Sequence, residues 1–205
     1  MIPVLKQVQP PNFAEKVGSP GEAWLRKQSF YNAEEPGKRT EVPQGTQFPT
    51  LWVKCADDLY ESYHGICAYL SIRLYRKTGA ESIDHFLPKK YYPGLAYSWD
   101  NYRLSCLGKN RSKSYTEEIL DPFTIAPDTF RLDLMTGEIY PSPTAPAEIA
   151  QRTINVLKLN DGCHCAMRLE HMREFQNGGI SAEHCRRNYP FVWTELVRNG
   201  LASIK

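Results

Sequence analysis

The chain has 205 residues, 41% of them hydrophobic, and a formal net charge of +2. That length buries a substantial core as one domain, or as one domain with a helical appendage, and makes two independent domains the poorer expectation. The near balance of charge excludes a polycation that coats nucleic acid with its whole surface, and no apolar run approaches a membrane span.

The opening MIPVLKQVQPPNF lacks an apolar secretory segment, so the six cysteines are expected as reduced thiols in a cytoplasm. Seven of the fifteen prolines fall in residues 1–50, which makes regular structure unexpected over most of that arm. Its Trp24, Leu25, Phe30, Tyr31 and Phe48 are too apolar for a free tail, so the arm either lies across the domain or docks on a partner. Residues 50–63 carry Trp52, Leu59 and Tyr63, with Asp57 and Asp58 near the start, and predict a helix terminated by His64-Gly65. Periodicity leaves residues 66–74 open between strand and helix.

Strands are expected over residues 83–86 and 102–106, separated by a loop through Pro93-Gly94, with Asn110 opening a helix that ends before Asp121-Pro122. Residues 130–134 and 138–140, joined around Thr136-Gly137, read as a β-hairpin. After a proline-rich spacer, Ile149, Thr153, Val156 and Leu157 share one helix face, and Asn160 to Gly162 stop it. A second helix through Met167, Met172 and Phe175 ends near Asn177-Gly178-Gly179, and a third runs from Pro190 to Gly200. Arg152, Lys158, Arg168, Arg173, Arg186 and Arg187 on this tail are expected on solvated faces.

Residues 83–113 hold the chemistry. Asp84 and His85 close an apolar strand, where side chains face ligand or solvent, and adjacent strand positions point to opposite faces. Asp84 offers a carboxylate oxygen and Asn110 a carbonyl oxygen, a pair suited to a hard cation such as Mg2+ (or Mn2+) rather than to zinc. A neutral His85 is free to take a proton from water beside that metal, which implies phosphodiester hydrolysis. Six cations, Lys89, Lys90, Arg103, Lys109, Arg111 and Lys113, face the single acid Asp100 between residues 86 and 116, and are expected to hold phosphates without reading sequence. Tyr91, Tyr92, Tyr97, Trp99 and Tyr102 interleave with them, to stack on bases or to pack beneath the loop, with packing expected for Tyr97 and Trp99.

Asp-His, then Asn101, then Asn110 in a Lys-Asn-Arg-Ser-Lys run resembles the HNH nucleases with their ββα-metal fold. The wider wording, CAY, DHFLPK, LAYSWDNYRL, LDPF and TINVLKLND, is similar to an HNH subgroup linked to Septu-type and retron-type anti-phage systems, over about residues 66–161. The resemblance implies Asp84 and Asn110 as metal ligands, His85 as general base and Asn101 as the residue that orients it. It also implies DNA as substrate, with RNA not excluded, and an ATPase partner docked through the arm or the C-terminal helices.

Many relatives flank the motif with two CxxC pairs around a structural zinc. Here only Cys67 and Cys106 remain, so that zinc is not expected. Cys163, His164, Cys165, His171, His184 and Cys185 form a rival ligand cluster whose spacing matches no common zinc pattern. The expected fold is α+β: an arm over residues 1–50, an HNH core over 51–140 and a helical region over 141–205. Against the nuclease stands a non-cutting nucleic-acid-binding or scaffold subunit of the same fold.

Overall fold

The computed structural model describes residues 1–76 and 80–203. Among them the chain is α+β, with seven α-helices and two small antiparallel sheets. No helix among the described residues is long and apolar enough to cross a membrane.

The N-terminal arm lies across the domain. Val4 N–H donates to the Pro122 carbonyl at 2.8 Å, and the Trp99 indole donates to the Gln7 carbonyl at 2.9 Å. Phe13, Val17 and Leu25 are buried. This burial stabilises structure where the prolines argued against it: a π-helical turn, Ala14–Gly18, runs into helix α1, Ser19–Leu25. The helix expected from residue 50 begins as a 3-10 turn, Leu51–Cys55, and becomes α2 over Ala56–Ser62. It stops where His64 and Gly65 take positive φ, 53° and 69°.

Residues 66–74 are neither helix nor strand. They fold back through a single bridge between Ile66 and Arg73, and Ala68 N–H donates to the Leu104 carbonyl at 2.8 Å. The thiol of Cys67 accepts from the Leu70 and Cys106 amides at 3.4 and 3.2 Å, and its burial pushes its pKa up, which favours a protonated sulfur. All six cysteines are free thiols.

Strand β1, Glu81–His85, pairs antiparallel with β2, Tyr102–Cys106, opposing Asp84 to Arg103 and His85 to Tyr102. Helix α3, Leu107–Lys113, follows directly and packs on both strands. It starts three residues before the expected Asn110 and ends at Ser114, whose φ is 50°. Asn110 therefore sits within the helix and not at its cap.

The hairpin of β3, Phe130–Leu132, and β4, Ile139–Pro141, closes on an Asp133 side chain that accepts from Met135 and Thr136 N–H. Gly137 has φ 75°, and a Cβ there would lie 2.4 Å from the Cys165 carbonyl oxygen. Gly137→Ala is therefore expected to lose at least the roughly 1–2 kcal/mol of left-handed strain, plus the cost of moving the backbone at Cys165, read by chemical denaturation. Helix α4 spans Ala147–Val156, α5 Gly162–Gln176, α6 Ala182–Asn188 and α7 Pro190–Arg198. Helix α6 was not expected; the Ser181 hydroxyl caps it, accepting from His184 N–H at 3.1 Å. Arg168 is also not on a solvated face: it is buried, donating to the Gly137 and Leu159 carbonyls at 2.8 and 2.6 Å.

Candidate active site

The end of β1 sends its last two side chains to opposite faces, as strand pleating requires. On one face Asp84, 2% exposed, accepts from the Tyr69 hydroxyl and from the Lys113 ammonium, the latter at 3.3 Å. Lys113 is fully buried and also donates to the His85 carbonyl at 2.9 Å. Burial pushes the Asp84 carboxyl up and the Lys113 ammonium down, and each charge opposes that drift in the other.

On the other face the His85 ring sits edge-on between Trp52 and Tyr102, with centroids at 4.9 and 5.2 Å. Its Nε2 lies 2.9 Å from the Ala96 carbonyl oxygen. A carbonyl only accepts, so Nε2 carries the proton in the neutral ring and Nδ1 keeps its lone pair. Burial, followed by the positive charge of Lys89, lowers the imidazole pKa to about 3, against the Ala96 hydrogen bond, so the ring is neutral at ordinary pH.

Asn101 holds the loop between the strands. Its Oδ1 accepts from Leu87 N–H at 2.8 Å, and its Nδ2 donates to the Leu87 and Leu95 carbonyls at 2.9 and 3.2 Å. Both ends of residues 87–95 are thereby fixed, and with them the Ala96 carbonyl that meets His85. The Tyr102 hydroxyl donates to that same carbonyl at 2.8 Å.

Asn110 donates through Nδ2 to Ser82 Oγ at 3.1 Å and to the Ile83 carbonyl at 3.2 Å, next to Asp84 in β1. Its Oδ1 has no hydrogen-bond partner among the described residues. A carboxylate and an open amide oxygen held to neighbouring residues of one strand fit a hard divalent cation in donor type. To hold such a cation the Asp84 carboxylate would have to give up its Lys113 contact.

The expected phosphate patch needs correction at three of its six cations. Arg103, 3% exposed, donates to both Asp121 carboxylate oxygens at 2.9 and 2.6 Å and lies over the Phe123 ring. Lys109 is buried, its ammonium donating to the Leu157 and Lys158 carbonyls at 2.8 and 3.0 Å, where it satisfies the C-terminal end of α4. Lys113 is held by Asp84. Long basic side chains near a helix end and a buried acid find carbonyl and carboxylate partners inside the fold, and none of these three faces solvent. Lys90 and Arg111 remain exposed, and Lys89 is half-buried with its ammonium over the Trp52 ring.

Tyr97 and Trp99 are buried, as expected of packing residues. Tyr69 and Trp52 were missed as site neighbours, because only the folded chain brings residues 52 and 69 to the strand end. The His and Cys residues of the C-terminal region do not converge. His171 stacks on Tyr189 with centroids 3.5 Å apart, Cys185 is buried, and no group of three or more His, Cys, Asp or Glu suited to a metal ion occurs among the described residues.

Fold and site together define an α+β protein whose strand–strand–helix unit presents an Asp-His pair beside an open asparagine oxygen. No family model matches the chain. Over 73 residues it is 34% identical to Septu protein PtuB of Bacillus thuringiensis, a stretch that covers 34% of this chain and 28% of that protein. The chain is thus distantly related to a Septu protein over about a third of its own length.

Proposed function

We propose that the chain is a metal-dependent HNH endonuclease, with β1, β2 and α3 as its ββα-metal core and His85 as its general base. The observation that carries this reading is the imidazole, fixed through Nε2 with no hydrogen-bond partner for Nδ1 among the described residues, one residue from a buried carboxylate. In the proposed step Nδ1 takes a proton from a water molecule as the water oxygen bonds to phosphorus and the ester P–O bond breaks. Asp84 and Asn110 would hold Mg2+ or Mn2+, which when bound stabilises charge on the phosphate and its leaving oxygen. Asn101 positions the Ala96 carbonyl, and Lys89, Lys90 and Arg111 draw phosphates towards the site.

Similarity to a Septu protein supports a role in anti-phage defence; the ATPase partner is what the resemblance in sequence implies. The exposed Leu5 and Val8 of the arm offer apolar contacts for such a partner.

The test is nicking of plasmid by the purified chain, alone and with its genomic neighbours. Cleavage in Mg2+ that a chelator abolishes supports the nuclease. Binding without cleavage in every divalent cation supports the non-cutting subunit instead. For the metal itself, Mn2+ titration by calorimetry should show affinity falling more than about tenfold in Asp84→Ala, since the carboxylate is the one charged ligand of the pair. His85→Ala should bind Mn2+ as the parent does. Equal affinity in parent and Asp84→Ala would remove Asp84 from the ligand set.

A further inference from the structure

A cleft of about 520 Å3 opens between the arm and the loop that Asn101 anchors, lined by Glu41, Phe48, Lys89, Lys90 and Tyr115 among others. Lys89 is partly buried, and its ammonium lies 4.1 Å from the Trp52 ring centroid and 5.9 Å from that of Phe48. Trp52 in turn meets the His85 ring edge-on at 4.9 Å. Lys90 lies 5.0 Å from the Tyr115 ring and 5.3 Å from the Tyr91 ring. Neither lysine has an acidic partner within ion-pairing distance among the described residues, although Glu41 lines the same cleft.

Two ammonium groups here have ring faces for neighbours and no ion-paired carboxylate among the described residues. Burial lowers the Lys89 pKa, and an anion in the cleft would oppose that shift. Tyr91 and Tyr115 stand edge to face at 6.3 Å, and Tyr115 is 55% exposed, so an aromatic plate remains open at the mouth. A base inside a duplex already has both faces stacked on its neighbours. Away from a duplex end, only an unstacked base, as in a single strand or a melted segment, has a face to offer such a plate.

We propose that this cleft takes one unpaired nucleotide beside the scissile bond, its phosphate on Lys89 and Lys90 and its base against Tyr115. The site would then act on single-stranded nucleic acid or on locally melted strands. The scissile bond in this statement rests on the nuclease reading; capture of the unpaired nucleotide does not.

The experiment is fluorescence anisotropy of the full chain with short labelled oligonucleotides of one sequence, as single-stranded DNA, single-stranded RNA and blunt DNA duplex. Binding is measured in chelator and cutting in Mg2+. At least one single strand is expected to bind about tenfold or more tightly than the duplex, and the tighter of the two identifies the sugar. Tyr115→Ala should weaken single-strand binding roughly tenfold, with Tyr115→Phe restoring it. Lys89→Gln should lower the salt slope by about one. Duplex bound as tightly as either single strand, or Tyr115→Ala with unchanged single-strand affinity, overturns the proposal. Tight single-strand binding without cutting in Mg2+, both by the chain alone and with its genomic neighbours, would uphold the cleft and remove the nuclease. Preferential binding and cutting of duplex would do the reverse.

Discussion

Arg103→Ala is expected to destabilise the chain by about 3–5 kcal/mol, the cost typical of removing one partner from a buried ion pair. The guanidinium bridges both oxygens of Asp121 and also donates to the Asp100 and Tyr102 carbonyls at 2.8 and 3.0 Å. It lies over the rings of both Phe86 and Phe123, with centroids at 5.0 and 3.5 Å. Removing it leaves the Asp121 carboxylate, 17% exposed, without its counter-charge, and vacates the space against two rings. Asp121 also accepts from Phe123 N–H at 3.0 Å, so its turn should loosen with it. Arg103→Lys should recover only part of the loss, because an ammonium cannot reproduce the two parallel bonds. Urea denaturation followed by far-UV circular dichroism reads both variants. A phosphate contact at this position would instead leave stability unchanged and weaken nucleic-acid binding.

Arg103 shows where local sequence stops being informative. Counting charge along residues 86–116 finds the basic excess but cannot tell a solvated cation from one that reaches inward, since the partners of Arg103 and Lys109 lie 18 and 48 or 49 residues away. What local pattern does carry is the strand end. Alternation brought Asp84 and His85 to the close of β1, and the stop at His64-Gly65 was readable because both residues are placed in the left-handed region. The start of α3 was misplaced for a chemical reason. Asn favours helix caps in general, yet here the Asn110 amide is held by Ser82 and Ile83 across the sheet, and extended Cys106 takes the position before the helix. Helix α6 had a legible signal in Ser181, a hydroxyl three residues before the amide that it caps. The contact of Tyr69 with Asp84 had none, because it depends on the fold-back of residues 66–74 against β2.

The largest expected effect on activity is at His85. Removing a general base typically slows a reaction by about 10²- to 10⁴-fold. His85→Ala leaves Asp84, Asn110, Lys89 and Lys90 in place, so affinity for metal and nucleic acid should change little. The variant does open space between Trp52 and Tyr102, and its fold must be checked by thermal melting alongside. His85→Gln is the closer control, since its side chain retains a group able to donate to the Ala96 carbonyl but offers no basic nitrogen.

The most direct measurement is therefore the single-turnover cleavage rate of parent, His85→Ala and His85→Gln in saturating Mg2+, at protein concentrations where all three bind substrate. Both variants are predicted to bind as the parent does and to cut at least about a hundredfold more slowly. Cleavage by either at the parental rate would contradict His85 as the base.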